Sequence, residues 1–275
     1  MIHRITMLPF ARHSSVESGK EGAVRTFVGL MLMVGTGLTL VWSGSGPIDA
    51  VAEQAISTQA GQSEEIQFPI YKPPKKLSPR ARVGGTLRGI DGGELDIQAI
   101  VPDHVALTFK KTPALNWFIS KPTKYEIQFT LIDSRTIKPL YEAPLPPPNT
   151  AGIYTIDLDK LGLALEPDIQ YRWYVSVIRD PNSRAGDLVV GGVIERCEFN
   201  ACVKELEPDL NCSQQSVYNN AIKGFWYDAM SCLCSLIDAS PSDINLRRQR
   251  AALLRQVGLH GVADWDLRSI QSALF

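Results

Sequence analysis

The sequence predicts a mainly β protein with an α-helical C-terminal part, an α+β chain in which an antiparallel β-sandwich-like domain at 76–200 precedes a helical hairpin at 201–275. Three observations predict it. Short apolar runs with a period of two recur from Leu95 to Glu195, the spacing of half-buried strands. Turn residues separate those runs and no helical pattern intervenes, which suits a sandwich better than alternating strand and helix. After Ser213 the apolar residues recur at three and four instead, the spacing of one helix face.

The first 50 residues are expected to be a signal peptide or signal anchor. Arg4, Arg12, Lys20 and Arg25 precede an uncharged apolar run at 26–42, the layout of a secretory leader. Cleavage is expected near Ala52, which puts the rest in the periplasm or outside the cell. The alternative is a single membrane anchor at 26–42 that leaves the chain facing outward. Residues 51–75, rich in Gln, Ser, Glu and Pro, bury too little apolar surface to offset the entropy of ordering and read as a disordered linker.

The glycine-rich stretch VGGTLRGIDGG, Val83 to Gly93, lacks the GK[ST] ending of a P-loop and the order of a dinucleotide fingerprint. Its glycines are expected to serve turns or close backbone contacts. Candidate strands follow at Leu95–Ile100, Ala106–Phe109, Pro113–Ile119, Lys124–Asp133, Leu140–Ala143, Gly152–Asp157, Ile169–Arg179 and Gly186–Glu195. The run Pro144 to Pro148 contains four prolines, so it belongs to a connector or a sheet edge. Tyr171 to Arg196 is expected to be the central hairpin, with Trp173, Val175 and Val177 on one face and DPNSRAG as its turn. The preceding LGLALEPDIQYRW resembles the corner by which sandwich domains enter a strand with a buried aromatic.

In the tail, Tyr218, Ile222, Phe225, Ala229, Leu233 and Leu236 predict one helix. Ser240-Pro241 is expected to start a second, ending near Gln256 before Gly258. All five cysteines lie in the last third. Cys197, Cys202 and Cys212 occupy a polar connector where one disulfide fits an oxidising compartment. Cys232 and Cys234, two apart on a helix, point in different directions and are expected to pack as small apolar groups.

With 28 basic and 29 acidic residues the net charge is -1, which removes the electrostatic basis for nucleic-acid binding. The turn Asp180 to Asp187 has oxygen-bearing side chains at alternate positions, but Arg184 stands where a calcium ligand belongs. Arg184 is expected to pair with Asp180 or Asp187. His104 and His260 follow a turn and a helix stop and read as solvated, and no nucleophile elbow or zinc-helix motif is present. Asp96, Glu126, Asp157 and Glu195 offer carboxylates that only geometry could select as a pair. No catalytic residue, metal or cofactor is therefore expected. Trp117, Tyr125, Trp173 and Arg184 are the candidate binding residues, although aromatics at strand spacing equally suit a core.

Several phrases recur in order: SPRARVGGTLRG, Trp117-Phe118, Tyr171-Arg172-Trp173-Tyr174, Asp180-Pro181-Asn182-Ser183-Arg184 and Gly224-Phe225-Trp226-Tyr227-Asp228-Ala229. Together, from Pro73 to Gly258, they resemble the mainly cyanobacterial family known as domain of unknown function 928. GFWYDA alone also suits tetratricopeptide-like helices. The resemblance implies an exported protein with a β domain and a helical tail, and supplies no activity. The Cys197–Cys212 connector departs from it. The expected function is a non-catalytic interaction module of the cell envelope that binds another protein or an envelope polymer. An envelope hydrolase acting on glycan or peptide and a membrane-anchored accessory subunit are the alternatives.

Overall fold

A computed structural model describes residues 67–74, 81–90, 93–198 and 211–273. The leader, the cleavage region and the linker up to residue 66, together with Arg80 and Cys202, lie outside the described residues. Among the described residues nine strands form two sheets: β1 (Gly84–Ile90), β2 (Gly93–Ala99), β3 (Ala106–Thr108), β4 (Ala114–Ile119), β5 (Glu126–Asp133), β6 (Pro139–Leu145), β7 (Gly152–Asp157), β8 (Gln170–Ile178) and β9 (Leu188–Arg196). One sheet has the order β1-β2-β4-β7 and the other β3-β9-β8-β5-β6. Every pairing is antiparallel except that of β3 with β9.

The glycine-rich stretch is a correction to the sequence reading. It forms β1, paired with β2 through a register shift between Leu87 and Ile90. Glycines inside a strand mark such irregularities, and they hide the strand from any side-chain pattern.

The hairpin of β8 and β9 lies at the centre of the five-stranded sheet. Trp173, Val175 and Val177 are fully buried, as are Ile127, Phe129 and Leu131 on neighbouring β5, so the period-two faces of both strands meet the core. At roughly 1.5–3 kcal/mol for each large apolar side chain buried, this layer is a large favourable contribution to the stability of the β part. A Cβ on Gly191 would lie 2.2 Å from the Trp173 carbonyl oxygen, so only glycine lets β9 close over β8 there. Before β8, the Tyr171 hydroxyl accepts the Glu166 backbone N–H at 3.1 Å, fixing the corner that LGLALEPDIQYRW suggested.

The tail is also corrected. Its described residues form four helices rather than a hairpin: α1 (Gln214–Ile222), α2 (Trp226–Ala239), α3 (Ile244–Gln256) and α4 (His260–Ala273). The expected first helix breaks at Gly224, whose φ of 85° favours glycine. Gly258 stops α3 as expected with φ 77°, but another helix begins at His260. Ser240 is the C-cap of α2, and Asp243 caps α3 instead by accepting the Asn245 and Leu246 N–H groups.

Helix α2 is buried on most of its circumference, as expected for a helix inside a core. Trp226 Nε1 donates to the Ile100 carbonyl at 2.8 Å. The Tyr227 hydroxyl accepts from Trp173 Nε1 at 2.8 Å. Asp228 accepts from Thr108 Oγ1 and the Phe109 N–H, each at 3.1 Å. Three consecutive residues thus pin α2 to the end of β2, to β8 and to β3, and one hydrophobic cluster joins both sheets with the helices. Burial pushes the Asp228 carboxyl up to about 7.

Residues 67–74, assigned above to the linker, instead lie along the helical part. The Tyr71 N–H donates to Gln256 Oε1 at 2.8 Å and the Lys72 N–H to the Ala221 carbonyl at 3.0 Å. Tyr71 also hydrogen-bonds His104 Nε2 at 2.9 Å, so His104 is half-buried rather than solvated, and burial lowers its pKa. Among the cysteines, Cys232 departs from the expectation. Cys212 bonds Cys232, with Cα atoms 5.3 Å apart, because the start of α1 packs beside α2. Cys232 is therefore not a packed free thiol. Cys197 is itself disulfide-bonded. Cys234 points elsewhere as expected, buried and free, with Arg250 Nη1 3.5 Å from its sulfur. Arg250 in turn holds the fully buried Asp266 through Nε at 2.7 Å and Nη2 at 2.6 Å, tying α3 to α4.

Candidate functional site

The structure separates the four candidate binding residues. Trp173 is fully buried beneath the glycine pair of β9 and belongs to the core, which corrects its assignment as a binding residue. Arg184 lies in the β8–β9 turn, in a single turn of 3-10 helix, where it pairs with Asp187 and donates from Nη2 to Gln128 Oε1 at 2.7 Å. Its partner is one of the two acids expected, and the turn is further shaped by the Asn182 N–H donating to Asp180 Oδ1 at 2.9 Å. Arg184 closes a turn.

Trp117 and Tyr125 lie on either side of one wall, the connector between β6 and β7. Tyr125 lines a depression of about 570 Å³ with Lys121, Lys124, Pro148 and Asn149. Trp117 lies at the floor of a groove of about 650 Å³, almost without exposure of its own. The groove is bounded by Pro146–Pro148, by Tyr154–Asp157 along β7, by Lys160, and by Ser235 and Asp238 on α2. Its volume is that of ordinary ligand sites.

Sequence pattern explains each wall. The prolines cannot donate to a ladder, so the chain leaves β6 there, and the Thr123 N–H donates to the Pro148 carbonyl at 3.0 Å to hold the connector over the β4–β5 loop. Tyr154 is opposite Trp117 in the β4–β7 register, with ring centroids 5.6 Å apart, a cross-strand aromatic pair. Thr155 is opposite Asn116, whose Nδ2 donates to Thr155 Oγ1 at 2.8 Å. Tyr154 and Asp238 were not singled out from the sequence. The signal that was available is the proline run marking a sheet edge.

The ionisable groups of the groove are Asp157, Lys160 and Asp238. Lys160 Nζ lies 3.8 Å from Asp157 Oδ2, with the lysine 83% exposed, a pair worth little in water. One carboxylate thus remains in excess. The other carboxylates considered lie elsewhere: Asp96 accepts from Gln98 Nε2, Glu195 accepts from Gln170 Nε2, and Glu126 is exposed at the start of β5. Asp157 alone of the four lines the groove. Among the described residues no group of three His, Cys, Asp or Glu side chains is placed to hold a metal ion, and no helix is long and apolar enough to cross a membrane.

No curated protein matches the sequence. A solved multi-domain immunophilin from Arabidopsis thaliana is similar over 73% of this chain and 100% of that one, at 9% identity and a TM-score of 0.16, values that carry no argument. The family model described as Domain of Unknown Function (DUF928) matches residues 83–267, a span holding both sheets, the groove and most of the helical tail, and the chain belongs to that family.

Proposed function

We propose that this protein is a non-catalytic interaction module of the cell envelope, exported with its leader cleaved near Ala52 and binding another protein or an envelope polymer. The observation that supports this reading is the groove beside β7. Its walls carry aromatic, proline and small polar side chains, its lysine is paired to one of its two acids, and this lining suits a ligand held by contact area and hydrogen bonds. Capture on the full chain, expressed with its leader, tests it. A partner that co-purifies and is displaced by Tyr154→Ala is expected. Turnover of any polysaccharide, peptidoglycan or peptide substrate by the purified chain sinks it.

One observation favours a second reading, an envelope hydrolase: Asp157 and Asp238 line the same groove from different elements, as a carboxylate pair would. That reading requires turnover that Asp157→Asn and Asp238→Asn each abolish. Sequencing the mature N-terminus separates the cleaved form from one anchored at 26–42.

A further inference from the structure

An unpaired row of N–H and C=O groups on an edge strand invites another chain, and folds blunt such edges by shortness, bulges, prolines or charge. Four strands form the edges here: β1 and β7 in one sheet, β3 and β6 in the other. Strand β3 has three residues, β1 is interrupted by its register shift, and β6 carries Pro139, Glu142 and Pro144. Strand β7, with the sequence GIYTID, has six residues and neither proline nor lysine. Its one device is the charge of Asp157 at its last position, so it is the least protected of the four edges.

The ladder shows which groups point outward. The Leu158 N–H donates to the Pro113 carbonyl at 3.2 Å, one step beyond the Ala114–Asp157 pair. The Ile100 N–H donates to the Asn116 carbonyl at 3.0 Å, so Asn116 faces β2. Because antiparallel partners alternate, Gly152, Tyr154 and Ile156 face β4, whereas Ile153, Thr155 and Asp157 direct their backbone groups away from it. Among the described residues no backbone hydrogen bond reaches those outward groups, and Thr155 is exposed.

From these observations we infer that the open edge of β7 binds an extended peptide carrying Lys or Arg, which pairs with Ile153, Thr155 and Asp157 as an added strand. This inference rests on the interaction-module reading and specifies its mode. Two features select the occupant. The prolines and Ser235 and Asp238 of α2 line the groove beside β7, so its occupant has to be narrow, and a single added strand, about 4.8 Å from the edge, is the narrowest partner a sheet accepts. Asp157 and Asp238 outweigh Lys160, so the groove favours cationic side chains. The six residues of β7 offer an edge roughly 20 Å long at about 3.3 Å per residue.

The probe is a short fluorescent peptide of alternating Val and Thr flanked by lysines, titrated into the full chain. It is expected to bind, its glutamate-flanked counterpart at least tenfold more weakly. N-methylation of the backbone amides along one edge of the probe should abolish binding, while N-methylation along the other edge should not. On the protein, Thr155→Pro removes an outward N–H without touching the β4 ladder, and Thr155→Val loses the same Asn116 bond yet keeps that N–H. Thr155→Pro should weaken binding at least tenfold relative to Thr155→Val. Equal binding by these two variants, equal binding of both charge forms, indifference to N-methylation, or no binding at all overturns the inference. A dimer that Thr155→Pro dissociates assigns the edge to a second copy and overturns it too. A partner held equally by wild type and Thr155→Pro overturns the edge mode while leaving the interaction-module reading standing.

Discussion

Replacing Trp173 with alanine tests the join between the β sheets and the helices. Trp173 is fully buried, and its Nε1–H donates to the Tyr227 hydroxyl at 2.8 Å, which itself lies 3.3 Å from the Val193 carbonyl as donor. Removing a buried tryptophan costs roughly 3–5 kcal/mol through lost transfer energy and the cavity left behind. Collapse into that cavity is limited, because Gly192 is already close: a Cβ there would meet Val101 Cγ2 at 2.8 Å and Trp173 Nε1 at 3.3 Å. A loss of this size lowers the melting temperature of a domain of this length by about 6–20 °C. The assay is urea and thermal unfolding of Trp173→Ala, Tyr227→Phe and the double variant. Tyr227→Phe alone should cost about 1–3 kcal/mol, since it leaves the buried indole N–H without its acceptor. The double variant should cost less than the two singles together, because after Trp173→Ala that donor is gone. Trp173→Ala unfolding within about 1 kcal/mol of wild type, below the range for a buried aromatic, or strict additivity, refutes the placement of α2 against β8.

Three further outcomes follow from the buried polar groups and the disulfide. Asp228 keeps its proton to about pH 7 in the folded chain, against an ordinary 3.8, so its favourable contribution is complete below pH 3.8 and is lost as pH rises to 7. The loss is at most about 4 kcal/mol, and Asp228→Asn, which can still satisfy Thr108 and Phe109, should flatten the stability difference measured by urea unfolding between pH 4 and 8. Asp266→Ala strands the buried Arg250 and should cost about 3–5 kcal/mol, with the double variant Arg250→Met, Asp266→Leu less destabilised than Asp266→Ala in the same unfolding assay. Cys232→Ser opens a cross-link with a sequence separation of 20 and should lower stability by about 3 kcal/mol under oxidising conditions, while adding reductant should erase the difference from wild type.

Legibility in the sequence followed side-chain periodicity. Strand β5 was plain because Ile127, Phe129 and Leu131 alternate with polar residues and the fold buries that face. Strand β1 was not, because its glycines present no side chains to alternate and its bulge breaks the period. The break between α1 and α2 was hidden since Phe225 continues the apolar spacing across Gly224, and the positive φ arises where the backbone meets residues 67–74: a Cβ on Gly224 would lie 2.9 Å from the Lys72 carbonyl oxygen. Residues 67–74 carry three prolines and end a longer stretch rich in Gln, Ser and Glu, so composition suggested a linker, but backbone hydrogen bonding to α1 and the side chains of Tyr71 and Gln256 hold them in place. The pairing of Cys212 with Cys232 depends on how α1 docks on α2, which spacing along the chain does not encode. The groove was legible only through its prolines. Its other walls come from β4, β7 and α2, brought together by the fold, and the aromatic residue that faces it most openly, Tyr154, shares its spacing with core residues.

The central claim, that the open edge of β7 and its groove form a binding surface, is tested most directly by amide hydrogen exchange on the full chain with and without the lysine-flanked strand peptide. Protection gained at Ile153, Thr155 and Asp157, with little change at Tyr154 and Ile156, which already face β4, is the predicted result. Protection that appears elsewhere while those three amides exchange as before contradicts it.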